Sequence, residues 1–169
     1  MGMPSTLKNC NLFNEGKSYM GVIAEVALPK LGRKLEKWRG GGMNAEVSID
    51  LGGQSLEIEM SCAGIMQQIF EQYGITKIDG VMLRFAGAYQ RDDTGQVDAV
   101  EVVVRGRHEE LDMGKAKPGD KTDFKVKSAL TYYKLTINGT EMIEIDILNF
   151  VEKVKGKDIL AEQRKAIGL

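Results

Sequence analysis

Cysteine and histidine are almost missing from this 169-residue chain: Cys10, Cys62 and His108 are all there is of the two. Two thiols are too few for a disulfide scaffold, and one histidine leaves no Cys/His set for zinc. Long hydrophobic runs are also missing. No window approaches the roughly 18 apolar residues of a membrane-spanning helix, and no apolar signal core follows a basic N-terminus. The expectation is a soluble protein of a reducing cytoplasm with no membrane anchor. Net charge is nearly absent as well, at a formal -1, which argues against a whole-protein basic field that would hold nucleic acid. Gly40, Gly41 and Gly42 lack the Lys-Ser/Thr of a phosphate loop. His108, within RGRHEE, reads as a structural histidine. Glu57 and Glu59 form a carboxylate pair, but on an exposed strand nothing raises a pKa for acid–base work. The residues therefore imply no enzyme, no metal and no cofactor.

What is present is alternation. From Asn44 to Cys62 the chain reads NAEVSIDLGGQSLEIEMSC, two strands that a Gly52-Gly53 turn would close into a hairpin. In that register Ala45, Val47, Ile49, Leu56, Ile58 and Met60 share one face, and Glu46, Ser48, Asp50, Ser55, Glu57 and Glu59 the other. The polar face holds four carboxylates and no cation. Two readings fit: a surface whose partners come from other strands, or one built to repel an anion.

The remaining chain has the same character. Residues 1–10 read as a flexible N-terminal segment leading into a polar, turn-rich stretch. Tyr19 to Leu28 reads as a strand ended by Pro29, and Leu31 to Trp38 as a basic strand or arm running into a Gly-rich loop. Gly64 to Tyr73 changes period and reads as a short amphipathic helix with Ile65, Ile69, Phe70 and Tyr73 on one face. Val81–Gln90 and Gln96–His108 form a hairpin in which Leu83, Phe85, Gly87 and Tyr89 oppose Val104, Val102, Val100 and Asp98. A long polar connection, Glu109 to Asp123, follows. Asn138-Gly139 then closes a hairpin of Phe124–Ile137 with Thr140–Leu148, placing Leu130, Tyr132, Ile143, Ile145 and Ile147 together. Asp158 opens a C-terminal helix to Ile167, stopped by Gly168. About seven strands at this spacing predict a mainly β chain, an antiparallel sandwich or barrel with one short inner helix and a C-terminal helix, in a single domain over residues 1–169.

Several stretches carry a resemblance: NLFNEG at Asn11–Gly16, LPKLGRKLEKWRGGGM at Leu28–Met43 and LRFAGAYQRDDTGQVDAVEVVVRGRHEELDMG at Leu83–Gly114. YYKLTING at Tyr132–Gly139, EIDILN at Glu144–Asn149 and the terminal AIGL add to them. In combination the chain resembles the major tail tube proteins of contractile-tailed bacteriophages, with the R-type pyocin tube as a cousin. The resemblance implies a hexameric ring in which strands of each subunit join a large barrel around a lumen. It further implies stacking into a tube inside a contractile sheath, assembled in the host cytoplasm and carried in the virion. The implied partners are further copies of the chain, the tail sheath protein, the tape measure protein, the baseplate tube initiator and the tail terminator. DNA would pass through the lumen without specific binding. Because DNA carries a charge every ~1.7 Å of its axis, an acidic or neutral wall lets it slide. Screening over ~8 Å at physiological salt confines that repulsion to a narrow gap. The acidic face of Glu46, Ser48, Asp50, Ser55, Glu57 and Glu59 is the expected lumen lining. The arm of Arg33, Lys34, Lys37, Trp38, Arg39, Gly40, Gly41 and Gly42 is the expected inter-subunit contact. Asp158, Glu162, Arg164 and Lys165 are expected to face the sheath. The same architecture in another injection machine, or a monomeric β-barrel binding a small ligand, are the alternatives.

Overall fold

A computed structural model describes residues 2–169. Ten strands form one antiparallel sheet, two more form a separate ribbon, and two short helices complete the fold. In chain order the elements are β1 (Ser5–Asn14), β2 (Lys17–Ser18), β3 (Ile23–Ala27), β4 (Arg33–Trp38), β5 (Val47–Gly53), β6 (Leu56–Cys62) and α1 (Gln67–Tyr73). They continue with β7 (Val81–Arg91), β8 (Val97–Asp112), β9 (Phe124–Ile137), β10 (Thr140–Asp146), β11 (Val151–Val154), β12 (Lys157–Asp158) and α2 (Ala161–Ala166).

The two longest strands, β8 and β9, belong to both halves of the sheet. The upper half runs β2-β1-β7-β8-β9-β10-β11-β12. The lower half is four strands, β3-β6-β9-β8, in which β6 pairs with Phe124–Leu130 of β9. At the junction β8 and β9 approach so closely that a Cβ on Gly106 would collide with the Ala129 carbonyl oxygen. Thr131 is skipped by the ladder there, so the inward side changes from Leu130 to Tyr133. The inward faces of both halves meet in one core. Leu12, Leu83, Phe85, Val102, Val104 and Tyr133 come from above, and Leu56, Ile58, Met60, Phe124, Val126 and Leu130 from below.

The β7–β8 register is the expected one, with Leu83 opposite Val104, Phe85 opposite Val102, Gly87 opposite Val100 and Tyr89 opposite Asp98. Asn138 and Gly139 both have positive φ, as the tight turn requires. Beyond that turn Met142 is bulged, so Ile143 meets Leu135 and Ile145 meets Tyr133. Tyr132 therefore leaves the isoleucine face expected of it; its hydroxyl donates to Glu144 on the outer side at 3.0 Å. Burial and that carboxylate push its pKa up to about 12.

Other expectations fail for similar reasons. Residues 5–10 are not a flexible tail: they are strand, laddered onto β7 from Arg91 to Gly87. Their polar side chains hid a backbone that had a full row of partners. Helix α1 buries Ile69 and Gln72, whereas Ile65 and Tyr73 stay exposed. Asp158 is not the N-cap of α2. Leu160 holds that position, and Asp158 instead accepts from the Leu160 amide at 3.0 Å.

The largest correction concerns the hairpin expected at Gly52-Gly53. β5 and β6 do not pair. β5 turns away and pairs with β4, Trp38 opposite Val47 and Lys37 opposite Ser48, while β6 enters the lower half between β3 and β9. A glycine pair permits a tight turn but does not require one, and here both strands have better-matched neighbours elsewhere.

Candidate assembly surfaces

The ribbon of β4 and β5 carries the whole expected inter-subunit arm from Arg33 to Trp38, with Arg39 and Gly40–Gly42 in the loop at its tip. Its register places Glu36, Trp38, Val47, Ile49 and Leu51 on one side, whose apolar members are Trp38, Val47, Ile49 and Leu51. These side chains remain 57%, 49%, 43% and 52% exposed. The other side holds Leu35, Lys37, Ser48 and Asp50. Arg33 links the ribbon base to the body. Its guanidinium donates to Asp50 at 2.8 Å and to Glu152 on β11 at 3.0 Å. The Arg33 hydrogen bond holds the Asp50 carboxyl below the usual carboxylate range, helped by the Gly52 amide.

The expected lumen set is therefore divided. Ser48 and Asp50 lie on the ribbon and Glu46 at its edge, whereas Glu57 and Glu59 project from the outward face of β6. Ser55 lies in the link between β5 and β6. The missing cations come from neighbouring strands. Arg33 and Lys37 flank Asp50 and Ser48, while Lys127 on β9 is 3.3 Å from Glu57. Within the single chain, other strands thus supply cations for Asp50 and Glu57.

The outward face of the lower half is a composite that no single stretch of sequence contains. The ladder puts Glu25, Glu57, Glu59, Glu110 and Asp112 on it with Arg107, Lys125 and Lys127. Five carboxylates against three cations leave -2. Among the described residues, both margins of this four-stranded half are open. β3 pairs only with β6, and β8 beyond Gly106 has no strand on the side that β7 covers higher up. Only Glu57 and Glu59 of this face were legible in the sequence. Glu110, Asp112, Lys125 and Lys127 needed the β8–β9 register, including a bulge between His108 and Glu110.

At the C-terminal corner the four expected sheath-facing residues separate into two pairs. Arg164 reaches Asp158 at 2.7 Å and the Phe150 carbonyl at 2.9 Å, which fixes α2 to the body. The Arg164 hydrogen bond lowers the Asp158 pKa. Glu162 and Lys165 are exposed.

Under the helix lies a fully connected polar cluster. The side-chain amides of Asn14 and Gln72 bond each other twice, at 2.8 and 2.6 Å. Gln72 Oε1 can only accept, so His108 carries its proton on Nε2, and its Nδ1 accepts from the Ser128 hydroxyl, both at 2.9 Å. Asn14 also donates to the Tyr19 hydroxyl, which donates to Gln68. Burial pushes the His108 pKa down from 6.5 to about 4, as expected of a structural histidine. Cys62 lies in the core nearby, and burial pushes its thiol up to about 11, so it is not a reactive thiolate.

The ribbon is thus amphipathic, and the polar cluster beneath α1 is hydrogen-bonded from Tyr19 through to Ser128. Known proteins place it in one class, the phage tail tube proteins. The family profile for phage tail tube protein FII matches residues 4–168, and the chain belongs to that family. It is 49% identical over 172 aligned residues to the tail tube protein of Escherichia phage P2, covering all of both chains. It is 38% identical to the major tail tube protein of Serratia phage KSP20, over all of this chain and 99% of the other. Among solved structures it is similar to a chain of the PVC extracellular contractile injection system, sheath–tube complex in the extended state. That match has a TM-score of 0.60 at 8% identity, over 79% of this chain and 91% of the other, a likeness of fold. A chain of the PVC sheath/tube terminator matches equally well, with a TM-score of 0.60 at 8% identity over 79% and 96%.

Proposed function

We propose that this chain assembles into rings that stack as the inner tube of a contractile phage tail, with the four-stranded lower half as the ring's inner wall. The observation that carries the reading is the pair of open margins, β3 on one side and residues 107–112 of β8 on the other. An open strand edge is a template for pairing and an aggregation hazard unless something consumes it. Pairing the β3 margin of one copy with the β8 margin of the next consumes both and propagates in one rotational sense. Such a heterologous contact closes when its rotation divides the circle, six-fold in the ring that the family resemblance implies.

The wall so formed presents the -2 face of Glu25, Glu57, Glu59, Glu110 and Asp112 against Arg107, Lys125 and Lys127. It is weakly acidic and mixed in sign. That suits a conduit through which DNA slides, since a wall rich in Lys and Arg would release counterions and hold the duplex. The outward lumen role stays with Glu57 and Glu59. Glu46, Ser48 and Asp50 belong to the ribbon, which we assign to contact between subunits together with Arg33 to Gly42. The exposed Glu162 and Lys165 beside Asp158 and Arg164 are assigned to the sheath side. Tape measure, tube initiator and terminator are the remaining partners, and assembly takes place in the host cytoplasm. A phage tail is favoured over another injection machine because both full-length relatives above are phage proteins.

The test is native mass spectrometry with negative-stain microscopy of the purified chain, alone and with a baseplate initiator. Six-fold rings or tubes support the reading. A monomer that an initiator also fails to nucleate ends it.

A further inference from the structure

We infer that Glu25 is a brake on ring closure: where the β3 margin of one copy meets the β8 margin of the next, it stands opposite a carboxylate. This rests on the margin pairing proposed above, and it adds which side chains meet there and what they do to assembly.

β3 is antiparallel to β6, β6 to β9 and β9 to β8, so β3 of the next copy arrives antiparallel to β8. The pleat continues across the boundary, so an outward residue of β3 faces an outward residue of β8. The outward residues are Glu25 and Ala27 on one margin, and Arg107, Glu110 and Asp112 on the other. Glu25 opposite Arg107 would put Val26 beside Gly106, where Val81 of β7 is already paired. Beyond Asp112 the strand ends, and Gly114 turns away with φ +72°. The registers that remain set Glu25 against Glu110 or against Asp112, and either is a like-charge pair.

The cations near this margin are already shared. Lys127 lies opposite Glu110 and opposite Glu59, and 3.3 Å from Glu57. Lys125 lies opposite Asp112 and 3.8 Å from Asp123. Arg107 donates to the Thr76 carbonyl at 3.4 Å. An arriving Glu25 is therefore the acid in excess. Both margins are also bulged, at Ala24 and at Glu109. Bulges and charges on an edge strand keep it from pairing with whatever it meets. β3 carries no other charge, so one residue sets the electrostatic cost on its side. A closing ring meets that cost at every boundary. A subunit added to an existing ring meets it too, but also gains contacts with the ring beneath. The brake thus falls on starting a ring and much less on lengthening a tube.

Glu25→Gln keeps the shape of the side chain and removes its charge. In the full-length chain without an initiator, the concentration at which rings or tubes appear, read by sedimentation and negative-stain microscopy, is expected to fall about two- to fivefold. An unchanged threshold overturns the brake, and a raised one makes Glu25 an attractive contact instead. Asp120→Asn removes an equal charge from the exposed connection between β8 and β9, and an equal gain there reduces the effect to net charge and also overturns it. Salt near ~1 M, where screening acts over ~3 Å, is expected to close the gap between wild type and Glu25→Gln; a gap that persists refutes an electrostatic brake. The register is read by cross-linking in a Cys10→Ser background, since Cys10 is exposed and Cys62 is buried. In nucleated tubes Glu25→Cys is expected to bond to Glu110→Cys or Asp112→Cys of another copy. Bonding to Arg107→Cys, or tubes with no cross-link, overturns the inference. A wild-type chain that forms no ring or tube even with an initiator overturns the ring reading instead.

Discussion

β5 and β6 are neighbours in sequence with nearly the same pattern, VSIDLGG and LEIEMSC, yet they have opposite fates. The apolar residues of β6 are the floor of the core, with Ile58 at 2% and Met60 at 1% exposure, while Ile49 and Leu51 of β5 face solvent. Alternation identifies a strand and its two faces. It does not say whether the apolar face is covered by the chain's own body or is kept for another molecule. In this protein the same pattern gives one strand with a buried apolar face and one with an exposed apolar face, three residues apart.

Mutations that treat the two strands alike should separate them most sharply. Ile58→Ala leaves a cavity between the two halves of the sheet and is expected to cost about 2–5 kcal/mol by urea denaturation. Ile49→Ala should change monomer stability by less than about 0.5 kcal/mol, because it leaves a surface already wet. Equal costs would mean that the ribbon folds back onto its own body in solution.

In the body, acid acts through His108, whereas the lowered Asp50 carboxyl of the ribbon is exposed. The folded His108 pKa is about 4 against 6.5 unfolded, so below 6.5 the unfolded chain takes up a proton that the folded one refuses. Stability is therefore whole above pH 6.5 and falls as the pH drops towards 4, by about 3 kcal/mol. Urea midpoints across that window should show the slope, and His108→Gln should flatten it. A wild-type slope that survives His108→Gln would place the acid sensitivity elsewhere.

Two smaller effects sharpen the contrast. Arg33→Ala removes the ion pairs to Asp50 and Glu152, which are partly exposed and worth less than about 1 kcal/mol. Its stronger signature should be faster amide exchange in the ribbon, with body amides unchanged. Glu59→Lys sits on the outward face of the lower half and should leave the melting temperature unchanged. It should slow DNA delivery by assembled particles, measured as the rate of genome release. An unchanged rate would remove that face from the lumen.

Much of the fold was legible because it is local. The β7–β8 register follows from alternation and loop length, and the β9–β10 turn from Asn138-Gly139, whose positive φ values need those residues. The error at Tyr132 came from one bulged residue, Met142, which no pattern announces and which reverses the faces beyond it. The polar appearance of Ser5–Cys10 concealed an edge strand, since an edge needs only one covered side. Gln72 was missed as a buried residue because a glutamine on a helix reads as surface until Asn14 and His108 are placed against it.

Composition, alternation, turn residues and the long family stretches are properties of the chain read in one dimension. By themselves they determined a mainly β protein of the tail tube family. Only the tertiary structure decided that β5 leaves for β4, that Lys127 meets Glu57 and that the four-stranded half has two open margins. The physical reason is that backbone hydrogen bonds are the same for every strand. The choice of partner therefore depends on which side chains meet across space, and those lie up to 119 positions apart, as Arg33 and Glu152 do.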